Sequence, residues 1–255
     1  MEDVMYDPPA WLYGITLAEA IAFPAATCAV LYAGALRSGL GRRGSALLAG
    51  AAAVVLGGWL AASTVIAGHG WYHTKLGHGV PWMPVAALGF FGLLLALRRI
   101  PVVNRALTAP GMTSRLEVPH FFRVGGAIFL VTMALGHLPA LFALPAGIGD
   151  IATGLVAPFV VFRLARGKGR RAALWLNGFG MTDLVLALTL GALTGFQLVS
   201  VTPSAALITE LPLALIPSVG VPLLLALHVT SVSGLLKARR APQPADPAPL
   251  TAAGV

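Results

Sequence analysis

Charged side chains are scarce in this chain, and their scarcity excludes a soluble globular fold. Only 10% of the 255 residues are Asp, Glu, Lys or Arg, whereas 57% are hydrophobic and the mean hydropathy is +0.84. A soluble domain carries about 25% charged residues, so a domain of this composition would lack the charge that its surface needs. The composition therefore predicts an integral membrane protein.

Several residues and motifs that carry familiar chemistry are also absent. The one cysteine, Cys28, lies inside an apolar run, so no internal disulfide can form. No HExxH, GxSxG or Walker sequence occurs, which leaves a zincin, a serine hydrolase and an ATPase without support. The last apolar run has no internal lysine that could bind retinal, because Lys237 stands only at its end.

Seven apolar runs alternate with short polar connections. A helix needs about 20 apolar residues to cross the hydrocarbon core of a bilayer. The pattern predicts an all-α, polytopic membrane protein with a bundle of seven transmembrane helices over residues 11–237. The predicted spans are 11–36, 46–67, 84–97, 120–138, 141–162, 172–196 and 211–236, and residues 100–119 are expected to lie along the surface.

The basic residues indicate how the bundle is oriented. Fifteen of the 17 Lys and Arg fall on alternate connections, at 37–44, 98–119 and 163–171, or after residue 236. Loops rich in Lys and Arg stay in the cytoplasm. We therefore expect an extracytoplasmic N-terminus over 1–10 and a disordered cytoplasmic tail over 238–255. Lipid headgroups account for the net charge of +8, so no nucleic-acid partner is expected.

Polar residues within the predicted spans are the candidates for a functional site, because ionisable groups in lipid are costly and usually functional. Small residues share a helical face with Asp150, so Asp150 should point toward a neighbouring helix. By their depth along the helices, the candidates could line one polar pocket open to the outside. The alternative is that the two aspartates only hold helices together. The candidates are Glu19, His137, Asp150, Asn177 and Asp183.

Histidines near the outer end of the second span offer a possible metal site. His69 and His73 are spaced i, i+4, His78 follows, and His137 is expected at the same face. Such imidazoles suit zinc or copper, and His137 with one of the others could hold a haem. The surrounding glycines favour instead a solvated loop. His228 is predicted to lie about 20 Å deeper than His137, at 1.5 Å per residue, so these two cannot share an ion.

The seventh span is interrupted by prolines. Pro217 and Pro222 each remove a helical donor, which frees the carbonyls of Leu213 and Ser218. Transporters place substrates beside such broken helices, and a simple proline kink is the alternative.

The segments EVPHFFRVGGAIFL and ALPAGIGD resemble, across the last four spans, bacterial seven-helix inner-membrane proteins with no assigned activity. The resemblance implies a multi-pass protein of the bacterial inner membrane, with the lipid bilayer as its first partner. It implies no reaction.

Competing functions remain open at this point. An interior with three acids and no lysine favours binding or transport of a proton, a cation or a small amine-bearing solute. The alternative is a metal- or haem-dependent membrane enzyme with its site near the outer face. A homo-oligomer or a non-catalytic subunit of a membrane complex is a third possibility.

Overall fold

The computed structural model describes residues 9–73 and 79–238, and every regular element in this part of the chain is helical. Residues 1–8, His78 and the tail after residue 238 lie outside the described residues. The expectations for the N-terminus, for the tail and for His78 therefore stay predictions.

The described residues form nine α-helices, two 3₁₀ segments and one π segment. The α-helices are α1 (Ala10–Arg37), α2 (Gly41–Gly68), α3 (Trp82–Leu97), α4 (Pro101–Thr108), α5 (Met112–Arg115), α6 (Ala127–Ala134), α7 (Ala140–Ala165), α8 (Arg170–Gly195) and α9 (Val221–Ala238). The 3₁₀ segments are Val118–Gly126 and Ala206–Thr209, and the π segment Ile216–Gly220 leads into α9.

In the part of the chain that the structure describes, six helical stretches are long and apolar enough to cross a bilayer, and α3 with α4 makes a seventh if that pair counts as one span. The six are α1, α2, the run from α5 to α6, α7, α8, and the π segment with α9. Leu47 and Val54 on α2 are 76% and 75% exposed, as expected of side chains that contact lipid. The structure thus confirms an all-helical chain compatible with a multi-pass membrane protein.

The prediction that the connection at 100–119 lies along the surface holds only for its first part, where half of the α4 residues are exposed, and it was wrong for residues 112–119, which begin a candidate membrane span. The chain bends by 86° after α3 and enters α4, which packs against α1. Gly34 of α1 permits this contact, because a Cβ there would collide with the backbone of Ala106. Ala106, Leu116 and Glu117 are fully buried or nearly so. Glu117 therefore belongs to the interior.

The fourth span begins at α5 and passes through the 3₁₀ segment Val118–Gly126 before it becomes α-helical. A 3₁₀ helix has three residues per turn, so side chains at i and i+3 lie directly above one another. Glu117, His120, Arg123 and Gly126 follow this spacing, and all four are buried. The segment thus turns three ionisable side chains to one interior face.

The predicted interruption of the seventh span is present as the π segment. Trp59 Nε1 of α2 donates to the Ser218 carbonyl at 2.9 Å, which satisfies the acceptor that Pro222 leaves free. The Ser218 hydroxyl donates to the Ala214 carbonyl at 2.7 Å and lies 2.6 Å from Ser63 Oγ. Protein groups, rather than a substrate, therefore satisfy this irregular backbone.

Two arginines from the basic connections contact the second half of α9. Arg98 Nη1, after α3, donates to Thr230 Oγ1 at 3.4 Å, and Arg170 Nε donates to the Leu235 carbonyl at 3.1 Å. The basic ends of α3, α8 and α9 therefore lie on one face of the bundle.

Candidate functional site

A fully buried arginine of the described chain lies between the helices that carry the predicted acids. Arg123 has no exposed surface. Its Nε donates to Asp150 Oδ1 at 2.6 Å, and its Nη2 donates to Asp183 Oδ2. Its Nη1 donates to the Gly180 carbonyl at 3.4 Å and lies 3.3 Å from His228 Nε2. One guanidinium therefore joins α7, α8 and α9 to the 3₁₀ segment.

Glycines provide the space in which the two aspartates reach Arg123. A Cβ on Gly126 of the 3₁₀ segment would collide with the Asp150 side chain. A Cβ on Gly149 of α7 would collide with the Asp183 carboxyl group. Gly147 and Gly154, the small residues on the Asp150 face of α7, also lie at a helix contact, because a Cβ at either would collide with Leu130 or Val124 of the fourth span.

Glu19 brings a third acid to the same place from α1. A Cβ on Gly125 would lie 2.6 Å from the Glu19 carboxyl carbon, and Gly125 precedes the glycine that contacts Asp150. Glu19 Oε2 is buried and has no hydrogen-bond partner among the described residues. Glu19, Arg123, Asp150 and Asp183 are called the acid–arginine cluster below.

A second group of buried polar side chains adjoins this cluster. Asn177 Nδ2 donates to Glu117 Oε1 at 2.6 Å, and Ser231 Oγ donates to the same oxygen at 2.5 Å. Asn177 Oδ1 lies 2.8 Å from His228 Nδ1 and accepts a hydrogen bond from it, because the amide nitrogen is used as a donor. His228 Nε2 is then the acceptor that faces Arg123. Glu117, His120, Asn177, His228 and Ser231 are called the glutamate–histidine cluster.

His120 is the least constrained member of the glutamate–histidine cluster. Its ring stacks on that of His228 with centroids 3.7 Å apart and an interplanar angle of 14°. Both of its ring nitrogens and Glu117 Oε2 are buried without a hydrogen-bond partner in the described part of the chain. His120 Nε2 lies 4.0 Å from Glu117 Oε2. Buried polar atoms are nearly always paired, so three unpaired atoms in one place need an explanation.

The structure groups the predicted pocket residues only in part. Glu19, Asp150 and Asp183 lie together, and Asn177 lies in the adjoining cluster. His137 lies half-buried in the turn between α6 and α7, about 15 Å along α7 from Asp150 at 1.5 Å per residue. The positive charge beside the aspartates belongs to Arg123, which was not among the predicted pocket residues.

The predicted metal histidines that the structure describes have different partners. His69 is exposed, and its Nδ1 lies 2.8 Å from the Val65 carbonyl. His73 Nδ1 lies 3.3 Å from Thr209 Oγ1 and 3.7 Å from Glu210. Within residues 9–73 and 79–238, the group of three potential ligands that come together is Glu117, His120 and His228.

Sequence reasoning missed Glu117 and His120 because they were assigned to a surface connection and to the start of a span. The signal that could have found them is the spacing of Glu117, His120 and Arg123 at intervals of three residues. That spacing matches a 3₁₀ helix better than an α-helix.

An apolar groove of about 360 Å³ lies beside the acid-free helices α2 and α3. Its aromatic lining includes Trp59, Trp71, Tyr72, Trp82 and Phe90. Burial raises the pKa of the Tyr72 hydroxyl, against hydrogen bonds from Ser63 and Ser218 that lower it. The lining is apolar, so this groove is not the polar pocket that the sequence predicted.

Comparisons place the two clusters within a known family. No curated protein and no solved structure matches the chain. The family described as Domain of unknown function (DUF8737) matches residues 80–236, which is more than half of the 255 residues. That range contains every member of both clusters except Glu19. The chain therefore belongs to the DUF8737 family.

Proposed function

We propose that this protein is a bacterial inner-membrane protein that binds a proton or cation at the acid–arginine cluster and transports it. A small amine-bearing solute has the same charge and is a further candidate for the cargo. In this proposal the chain crosses the membrane seven times, with α3 and α4 as one bent span. The N-terminus lies outside and the C-terminus in the cytoplasm, because the basic ends of α3, α8 and α9 meet on one face.

The observation that carries the proposal is an excess of negative groups inside the bundle. Among the described residues, four largely buried carboxyl groups, those of Glu19, Glu117, Asp150 and Asp183, are accompanied by one buried guanidinium, that of Arg123. If all five were ionised, the net charge would be three negative. An uncompensated charge in a low-dielectric interior costs several kcal/mol, on the order of the stability of a protein. Bound protons or a bound cation must therefore neutralise the excess negative charge.

The two clusters also form a connected path. Asp150 binds Arg123, which reaches His228, and from there hydrogen bonds continue through Asn177 to Glu117 and Ser231. Asp150 lies about 15 Å from the start of α7, and Ser231 about 10 Å from the end of α9, at 1.5 Å per residue. Buried acids and histidines at membrane depth are typical of proton relays, and Arg123, which keeps its charge, would position Asp150 and His228 rather than pass a proton itself.

Reconstitution into lipid vesicles tests the proposal. Vesicles that contain a pH-sensitive dye would receive an imposed membrane potential, with Na⁺, Mn²⁺, Zn²⁺ or methylammonium outside. We expect the protein to transport protons across the membrane, either alone or coupled to the transport of one of these cations. Asp150→Asn should abolish it, because the variant removes a charge from the acid–arginine cluster.

Glu210→Gln is the matched control, because the Glu210 side chain is 42% exposed and lies outside both clusters. This variant should transport as the unaltered protein does. Absence of any proton or cation flux in vesicles that contain folded protein would overturn the proposal. Equal flux with Asp150→Asn would overturn it as well.

A further inference from the structure

We propose that Glu117, His120 and His228 form a binding site for a divalent transition-metal ion of the zinc type. The site is separate from the acid–arginine cluster and does not depend on transport. Two imidazoles and one carboxylate are a donor set that zinc and other first-row ions accept, and three protein ligands leave a position open to a further group.

The ligand atoms are close enough for one ion. One atom from each of the three side chains lies within 4.8 Å of the other two. Ligands about 2.0–2.1 Å from a tetrahedral zinc ion lie roughly 3.3 Å from one another. The side chains therefore need to close by about 1.5 Å at most, which rotation about side-chain bonds can supply.

The hydrogen bonds of the glutamate–histidine cluster do not use the proposed ligand atoms of Glu117 and His120. Both His120 nitrogens and Glu117 Oε2 lack hydrogen-bond partners among the residues that the structure describes, although Glu117 and His120 have no exposed surface. Glu117 Oε1, in contrast, accepts from Asn177 and Ser231. An ion placed between Oε2 and His120 would satisfy acceptors that nothing else in the described chain satisfies.

The stacked rings show which side chain must move. Parallel rings with centroids 3.7 Å apart cannot both direct a lone pair at one ion. His228 is held at Nδ1 by Asn177, which is the orientation by a hydrogen bond that metal-bound histidines commonly have, and its Nε2 would be the ligand atom. His120 has no hydrogen bond to lose, so its ring is the one that turns.

The charge of the ion also suits this position. A divalent cation would reduce the excess of three negative charges on the buried carboxyl groups to one. Arg123 would give up its Nη1 contact with His228 Nε2 but keep both aspartates, so the acid–arginine cluster would stay intact while its hydrogen bond to the glutamate–histidine cluster would open.

The test uses metal-free full-length protein in detergent, with Co²⁺ and Zn²⁺ as probes. We expect one ion per chain after gel filtration, and a visible absorption band from Co²⁺ in a site with nitrogen ligands. His120→Gln and Glu117→Gln should each weaken binding by at least about tenfold, since even the loss of an outer partner weakens metal sites by 10–100-fold. His69→Gln should bind normally, because His69 is exposed and outside the cluster.

The Co²⁺ spectrum of the unaltered protein keeps the test decisive even if a variant fails to fold. No stoichiometric binding by that protein would overturn the proposal, as would unchanged binding in both cluster variants. Loss of binding in His69→Gln would also overturn it, by assigning the ion to the outer histidines. Asp150→Asn retains all three ligands, so a failure of transport and a failure of metal binding can be told apart.

Discussion

Replacement of Arg123 tests the electrostatic organisation of the bundle most directly. Arg123→Met keeps an unbranched side chain of similar length but removes the guanidinium. Asp150 and Asp183 would then face each other without a positive partner. Their side chains are 12% and 7% exposed, so water could replace little of the lost interaction.

The expected loss of stability follows from the contacts that disappear. Arg123 makes two charge-assisted hydrogen bonds to the aspartates, and a hydrogen bond to a charged group contributes about 1.5–3 kcal/mol. Two of them amount to about 3–6 kcal/mol. Removal of one partner of a buried ion pair costs about 3–5 kcal/mol by direct measurement in other proteins. We therefore expect Arg123→Met to lower the free energy of unfolding by about 3–5 kcal/mol.

Reversible unfolding in mixed micelles, followed by circular dichroism, would measure this change. Arg171→Met is the matched control, because Arg171 is exposed at the start of α8 and should change stability by no more than about 0.5 kcal/mol. The reasoning would be refuted if the two variants were equally stable.

A combined variant separates charge from packing. Arg123→Met together with Asp150→Asn and Asp183→Asn removes the two negative charges along with the positive one. It should be more stable than Arg123→Met alone, because no unpaired charge remains buried. If it is less stable, the loss in Arg123→Met arises from packing rather than from the acids.

Two further substitutions test the contacts that position the clusters, each by the same unfolding measurement. Gly154→Ala should destabilise by about 1–3 kcal/mol, because its Cβ would lie 2.6 Å from a backbone nitrogen of the 3₁₀ segment, whereas Gly58→Ala has open space around it and should not destabilise. Trp59→Phe should cost about 1–3 kcal/mol, because the Ser218 carbonyl loses its donor at the π segment. Trp175→Phe, at a position 80% exposed, should have little effect, and an equal loss in both tryptophan variants would contradict this account.

Much of the helical organisation could be read from local pattern. The predicted spans at 11–36, 141–162 and 172–196 correspond closely to α1 (Ala10–Arg37), α7 (Ala140–Ala165) and α8 (Arg170–Gly195). Hydropathy is a property of neighbouring residues, and a membrane span must satisfy its own backbone, so such segments can be recognised one at a time. The orientation of Asp150 was predictable for the same reason, because glycines on its face are visible within one helix.

The ion-pair partner of Asp150 could not be predicted from the pattern within one helix. Arg123 lies 27 residues away, and its direction depends on a 3₁₀ segment whose three-residue period places Glu117, His120 and Arg123 on one face. At about 100° per residue, an α-helical period would have spread the same three residues over an arc of about 120°. Hydropathy does not distinguish these two helices.

The sequence by itself determined that this is a helical chain with apolar spans and with acids inside them. Only the tertiary structure decided that those acids meet an arginine of the same chain, and that Glu117 and His120 lie beside His228 rather than at the surface. The physical reason is that charge pairing in the interior depends on how distant helices pack, while the apolar pattern that keeps a helix in the bilayer is carried by each helix alone.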